Sequence, residues 1–116
     1  MKRRSFNAYV LDQLRELDAL ELRPMFGCFG LYSDAVFFGI IWEERLFFRT
    51  DEETRKQYVK MGMPPFQFRE QQSVNSYYEV PEIILKDAGK LTVWARTAIQ
   101  CQRNRRSGQA RKTRHR

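Results

Sequence analysis

Hydrophobic positions along the chain alternate between helical stripes and short strand-like runs. Phe6, Val10, Leu14 and Leu17 recur at spacings of four, four and three, which predicts an amphipathic helix over residues 5–18 with Ser5 as its N-cap. Leu20 to Pro24 reads as a connector and the start of an edge strand, because Pro24 has no amide donor to give to a sheet. Ala35 to Trp42 is the longest uninterrupted apolar run, bounded by Ser33-Asp34 and Glu43-Glu44. Its length and its Val, Ile and Phe content predict a buried central strand. Strict alternation puts Val36, Phe38, Ile40 and Trp42 on one face and Phe37, Gly39 and Ile41 on the other. Gly27 and Gly30 flank Cys28-Phe29 and predict a tight turn or bulge leading into Leu31-Tyr32. Turns follow at Ser33-Asp34 and Glu43-Glu44, and Leu46 to Arg49 returns as another strand. Connections this short require an antiparallel meander.

Thr50-Asp51-Glu52-Glu53 fits a capping box, with Thr50 as cap and Glu53 reaching back, so a second helix is expected to run to about Met61 and stop at Gly62. Phe66 to Arg69 alternates as a strand with one wet face. Glu70 to Asn75 reads as a polar turn, Ser76 to Val80 as the last strand, and Pro81-Glu82 as the first position of a helical turn. Leu91, Trp94, Ala95, Ala98 and Ile99 complete the amphipathic template for a closing helix from about Ala88 to Arg103. The pattern predicts an α+β fold in which an antiparallel sheet of about five to six strands is packed by an N-terminal, a middle and a C-terminal helix.

Composition changes this picture at one end only. The chain has 116 residues, the size of one domain, and a net charge of +7. All of that excess lies in Arg103, Arg105, Arg106, Arg111, Lys112, Arg114 and Arg116, since the remaining 14 basic residues match the 14 acidic ones. The expected organisation is a neutral domain over 1–103 and a disordered, arginine-rich tail over 104–116. A tail of seven cations can neutralise phosphates and attract DNA or RNA, with affinity falling as salt rises. No element predicted here enters a groove, so such binding is expected to be independent of sequence. The alternative is a solvated end with no partner. No apolar run approaches the ~18 residues of a membrane span. The Met-Lys-Arg-Arg start lacks an apolar stretch behind it, so no export signal is read and a cytoplasmic location is expected.

Candidate chemistry is sparse. The single histidine, His115, sits next to the last residue, which leaves no Ser-His-Asp or Cys-His arrangement and no histidine-based metal site. Cys28 and Cys101 are far apart and are read as reduced thiols. Gly27 to Gly30 is not a phosphate loop, because it leads into strands rather than opening a helix. No catalytic, cofactor or metal residue is therefore expected. Tyr77, Tyr78, Phe66, Phe68 and Phe47 are placed in core packing rather than in a base-stacking platform, since only Arg49 and Arg69 alternate with them. Tyr77-Tyr78, if exposed, marks a protein contact.

Several of these stretches together resemble a known family. Arg23 to Tyr32 (Arg-Pro-Met-Phe-Gly-Cys-Phe-Gly-Leu-Tyr) is similar to the N-terminal domain of the TfoX/Sxy family of bacterial competence regulators. The similarity continues through Ala35 to Phe38, Leu46 to Arg55, Pro65-Phe66, Ser76 to Pro81 and Leu91 to Ala95, covering roughly residues 7 to 100. It implies a curved antiparallel sheet packed by helices and a role in regulating gene expression, alongside a cyclic-AMP-responsive activator in the longer members. It implies no catalytic residues. Cys28 stands where the family usually has a second adjacent glycine. A basic tail stands where the longer regulators carry a C-terminal helical domain, so a single-domain member is expected. The function implied is that of a non-enzymatic accessory regulator with an unidentified protein partner. The alternatives are a pure protein-interaction module or a small-ligand binder or enzyme.

Overall fold

The computed structural model describes residues 5–68 and 72–115, with side chains described for 5–67 and 76–105. Among the described residues the order is α1 (Phe6–Gln13), β1 (Leu20–Met25), β2 (Cys28–Ser33), β3 (Val36–Trp42), β4 (Arg45–Arg49), α2 (Glu52–Lys60), β5 (Pro65–Phe68), β6 (Gln72–Glu79), α3 (Glu82–Leu85) and α4 (Ala88–His115). The strands form one antiparallel sheet in the order β1-β2-β3-β4-β6-β5, and the fold is α+β as expected.

The meander is tied by three two-residue turns, Phe26-Gly27, Asp34-Ala35 and Glu43-Glu44, between the pairs Met25↔Cys28, Ser33↔Val36 and Trp42↔Arg45. All six turn residues have positive φ, from 36° to 84°. Two such residues in a two-residue hairpin make a type I′ turn, whose twist matches that of the strands. Five of the six are not glycine and hold a conformation that costs roughly 1–2 kcal/mol per residue. The double variant Glu43→Asn, Glu44→Gly is therefore expected to stabilise the fold by about 1 kcal/mol after the added chain entropy of glycine is counted. Thermal melting followed by circular dichroism checks this, and an unchanged or lower melting temperature would refute it.

Gly30 is not in a turn. It lies inside β2, paired with Arg23 and Ile40. Its need for glycine is steric, because a Cβ there would sit 3.0 Å from the Phe37 ring and 3.1 Å from Met25 Sδ. The alternation expected along β3 also breaks. Leu31 pairs with Gly39 but Tyr32 pairs with Phe37, so Phe38 is the extra residue of a β-bulge. The bulge reverses the phase of the strand. Val36, Phe38 and Ile41 face the helices, while Phe37, Ile40 and Trp42 face the other way.

One layer of helices covers one face of the sheet. Val10, Leu14 and Leu17 from the first segment, Tyr58 from α2, Ile84 from α3 and Leu91, Ala95, Ala98 and Ile99 from α4 join Leu31, Phe38, Leu46, Phe48 and Tyr78 in the main core. α1 is shorter than its stripe, ending at Gln13. Leu17 is still buried because tighter turns (Arg15 N–H to Asp12 O, Leu17 N–H to Leu14 O) carry the chain on. β6 begins at Gln72, so most of the expected polar turn is strand, and residues 69–71 lie outside the described residues. The backbone of α4 is helical through His115, well past the expected end at Arg103.

The cap of α2 is shifted by one residue from its expected place. Asp51 accepts from the Thr54 N–H at 2.8 Å, and Thr54 Oγ1 accepts from the Asp51 N–H at 3.0 Å. Thr50 cannot serve because it is buried and committed to the sheet, donating to Ser76 O from both its N–H (2.7 Å) and its hydroxyl (3.2 Å). The Thr54 amide holds the Asp51 carboxyl below the usual aspartate range. A lowered folded-state value means that the stabilisation is complete above the ordinary aspartate value and is lost as pH falls through the lowered one. Asp51→Ala is expected to cost about 1 kcal/mol near neutrality. Denaturant titrations of both proteins should show the gap narrowing below about pH 4. A gap that widened in acid would contradict the assignment.

Candidate binding face and basic helix end

The face of the sheet turned away from the helices carries a second cluster: Cys28, Ile40, Phe47, Phe66 and Tyr77, with Met25, Phe37 and Trp42 packed at its margin. Among the residues whose side chains are described, none from a helix contributes to it. Phe47 is nonetheless 1% exposed and Tyr77 5%. Part of the cover comes from the shape of the sheet. Trp42 on β3 and Phe66 on β5 have ring centroids 5.9 Å apart, although two strands separate them. A flat sheet would hold β3 and β5 roughly 14 Å apart, so the sheet curls toward this face.

Arginines add to the cover. Arg23 lies 4.4 Å from the Tyr32 ring centroid, Arg45 5.3 Å from Phe47, and Arg49 5.5 Å from Tyr77. A guanidinium at these distances is attracted by the ring's negative face, and its stem shields apolar surface. Arg23 pairs with Glu21 at 2.7 Å and Arg45 with Glu79 at 2.9 Å. Arg49 has no ion pair among the described contacts, and its Nε is shielded from solvent without a hydrogen-bond partner. The rings between these cations touch one another. Tyr32 stacks on Phe37 at 5.2 Å, and Phe37 meets Tyr77 at 5.6 Å. Burial pushes the Tyr77 phenol up, against the opposing pull of Arg49 and of Arg105 on α4.

The residues singled out by sequence fall differently. Tyr77 and Tyr78 are both buried, so they are not an exposed contact pair. β6 lies between β4 and β5, and each tyrosine is covered on its own side: Tyr77 by Arg49, and Tyr78 by the main core, where its ring is 6.0 Å from that of Tyr58. Gly27 is in a turn and Gly30 in a strand. Arg103 and Arg105 are exposed on α4, and Arg103 also lines a cleft of about 240 Å³ with Arg96, Asp18 and Asp34. The side chains of Arg106, Arg111, Lys112 and Arg114, and the whole of Arg116, lie outside the described residues. Neither cysteine is poised for reaction, because burial raises both thiols. Cys28 Sγ–H donates to Met25 O at 3.1 Å. No group of three or more His, Cys, Asp or Glu side chains among the described residues could hold a metal ion. None of the helices among the described residues is long and apolar enough to cross a membrane.

The sequence reading missed Arg23 and Arg45 as companions of the rings. The signal for Arg45 was present, since Arg45, Phe47 and Arg49 alternate. The signal for Arg23 depends on the β1–β2 register, which places it beside Gly30.

The family model for the TfoX N-terminal domain matches residues 12–102, which take in every strand and stop one residue short of Arg103. No curated protein matches the chain. The match spans well over half of the 116 residues, and the chain belongs to the TfoX N-terminal domain family.

Proposed function

We propose that the chain is a non-enzymatic regulatory module of the competence-regulator type, working by binding in the cytoplasm as an accessory regulator of gene expression. The basic end of α4 attracts nucleic acid without sequence preference. The observation that carries this reading is the placement of charge. Seven cations and no acid occupy residues 103–116, while the rest of the chain is neutral. A helical backbone rises ~1.5 Å per residue, so this segment extends over roughly 20 Å, enough to meet several successive phosphates. A mobility-shift assay on duplex DNA and RNA across a salt series, comparing the full chain with a variant carrying glutamine at all seven positions, tests it. Engagement of all seven cations gives duplex DNA a log–log salt slope of about −6. Weak and equal binding by both proteins would end the nucleic-acid part of the reading.

A second reading, a protein-interaction module with no nucleic-acid role, is favoured by Phe26. This ring is 88% exposed at the β1–β2 turn, on a residue with φ of 36°. Affinity capture from the source cells with and without nuclease separates the two, because a direct protein partner survives nuclease treatment.

A further inference from the structure

The β1 edge of the sheet carries free backbone and a charge pattern that complements itself when reversed. Met25↔Cys28 closes the β1–β2 hairpin, and hydrogen-bonded pairs alternate from there. Met25, Arg23 and Glu21 therefore exchange their bonds with β2, while the backbone groups of Leu20, Leu22 and Pro24 point outward. None of these outward groups has a backbone partner among the described residues. Pro24 has no N–H to give, and at an outward position its own ladder loses nothing. Leu20 and Leu22 are half-buried against the main core, whereas Glu21 and Arg23 flank Leu22 and are exposed. At the tip of the same hairpin Phe26 is 88% exposed.

We propose that β1 pairs with β1 of a second copy of this chain, antiparallel about a two-fold axis at Leu22, so that two sheets become one. Charge selects the register. Centring the pair on Glu21 sets Glu21 against Glu21, and centring it on Arg23 sets Arg23 against Arg23; like charges directly opposite destabilise a sheet. Centring it on Leu22 sets Glu21 of each copy against Arg23 of the other. The ion pair within each chain, Arg23 to Glu21 at 2.7 Å, then becomes part of an alternating square of charges. The Leu22 pair exchanges two backbone bonds, and the Leu20 N–H of each copy donates to the Pro24 carbonyl of the other. The donor that Pro24 lacks leaves one bond unmade at each end, which makes the edge a poor template for strands without the matching charges. The axis stands perpendicular to the sheet, so both helical layers lie on the same side. The same register brings the Phe26-Gly27 turn of one copy level with Asp18-Ala19 of the other. There Leu17, Asp18 and Ile99 line the cleft of about 240 Å³, and Phe26 gains the apolar cover it lacks in its own chain. This pairing holds whether or not the basic end of α4 meets nucleic acid.

Sedimentation velocity of the full chain, from micromolar to millimolar concentration, tests the proposal. The mass is expected to rise from 14.0 kDa toward twice that value. Glu21→Arg alone and Arg23→Glu alone set like charges opposite each other and should each weaken association about 10-fold or more. The double variant Glu21→Arg, Arg23→Glu restores every opposite pair with no change in net charge, and should associate like the parent. Both side chains are 54% exposed, so these changes leave the core untouched, and circular dichroism checks the fold. Hydrogen exchange supplies the location: the Leu20 and Leu22 amides should become more protected as concentration rises. Phe26→Ser should weaken association about 10-fold. A chain that stays monomeric at every concentration, a dimer indifferent to the single charge reversals, or protection that appears at Pro65–Phe68 instead would overturn the pairing. Undiminished association of Phe26→Ser would overturn the placement of the ring.

Discussion

Gly39→Val is expected to remove about 3 kcal/mol of stability, the upper end of what overpacking costs, or to prevent folding altogether. A Cβ at this position would lie 3.1 Å from the backbone oxygen of Phe47, 3.2 Å from Leu31 Cδ1 and 3.3 Å from Phe48 Cδ1. The first of these is a strand backbone held on both sides, and it cannot step aside. Valine adds two further methyl groups to the same space, next to the bulge at Phe38. Gly30 makes the comparison. Its crowding comes from the rings of Phe37 and Tyr32 and from Met25 Sδ, all of them side-chain atoms able to give by a few tenths of an ångström. Gly30→Ala should therefore cost less than Gly39→Ala. Urea denaturation of the four variants measures the order. A Gly39→Val protein within 1 kcal/mol of the parent would mean that β3 and β4 are not packed as described.

Phe48→Ala is expected to cost 3–5 kcal/mol, the usual range for emptying a buried phenylalanine site. Against a total stability of about 5–15 kcal/mol, that leaves a protein close to unfolding. Phe48 has no exposed surface, pairs with Gly39 in the register and lies 5.7 Å from the Phe38 ring under α4. The informative partner is Phe47, its neighbour on the opposite face. It is 1% exposed without any described helix above it. If the curl of the sheet and the arginines make that face a true second core, Phe47→Ala will cost nearly as much as Phe48→Ala in chemical denaturation. A cost below about 1 kcal/mol would show the second cluster to be loosely closed.

The periodic signals carried the element order, because each element announced itself locally. The Ser5 cap, the turn at Glu43-Glu44 and the stripe from Leu91 to Ile99 all depend on residues within one or two turns of each other, while the turn expected at Ser33-Asp34 falls one residue later, at Asp34-Ala35, because Ser33 pairs with Val36. Errors arose where a distant partner decided. Thr50 lost the capping role to Asp51 because Ser76, 26 residues away, claims its donors. The faces of β3 changed phase at Phe38 because β2 and β3 fit only with a bulge there, and no local pattern marks which residue will be extra. Tyr77 and Tyr78 sit in the core packing expected of them, and the contact conditional on their exposure falls away because β6 lies between β4 and β5. The candidate face was legible only in part for the same reason. Arg45-x-Phe47-x-Arg49 is written in one strand, but the ring and arginine contacts from Arg23 to Tyr77 are assembled from five.

The connectivity also bears on how the chain behaves while it is being made. Residues 20–49 form four strands joined by two-residue turns, and hairpins of this kind close in microseconds, far faster than a ribosome adds residues. Their main cover, α4, emerges well after them, beginning at Ala88. The nascent sheet must therefore wait, with Phe38 and Phe48 bare, for more than forty further residues to be synthesised before Leu91 arrives. A chain stalled or cut before residue 88 is expected to be a client of chaperones that hold apolar surface, and release from them should coincide with the arrival of Leu91 and Ala95.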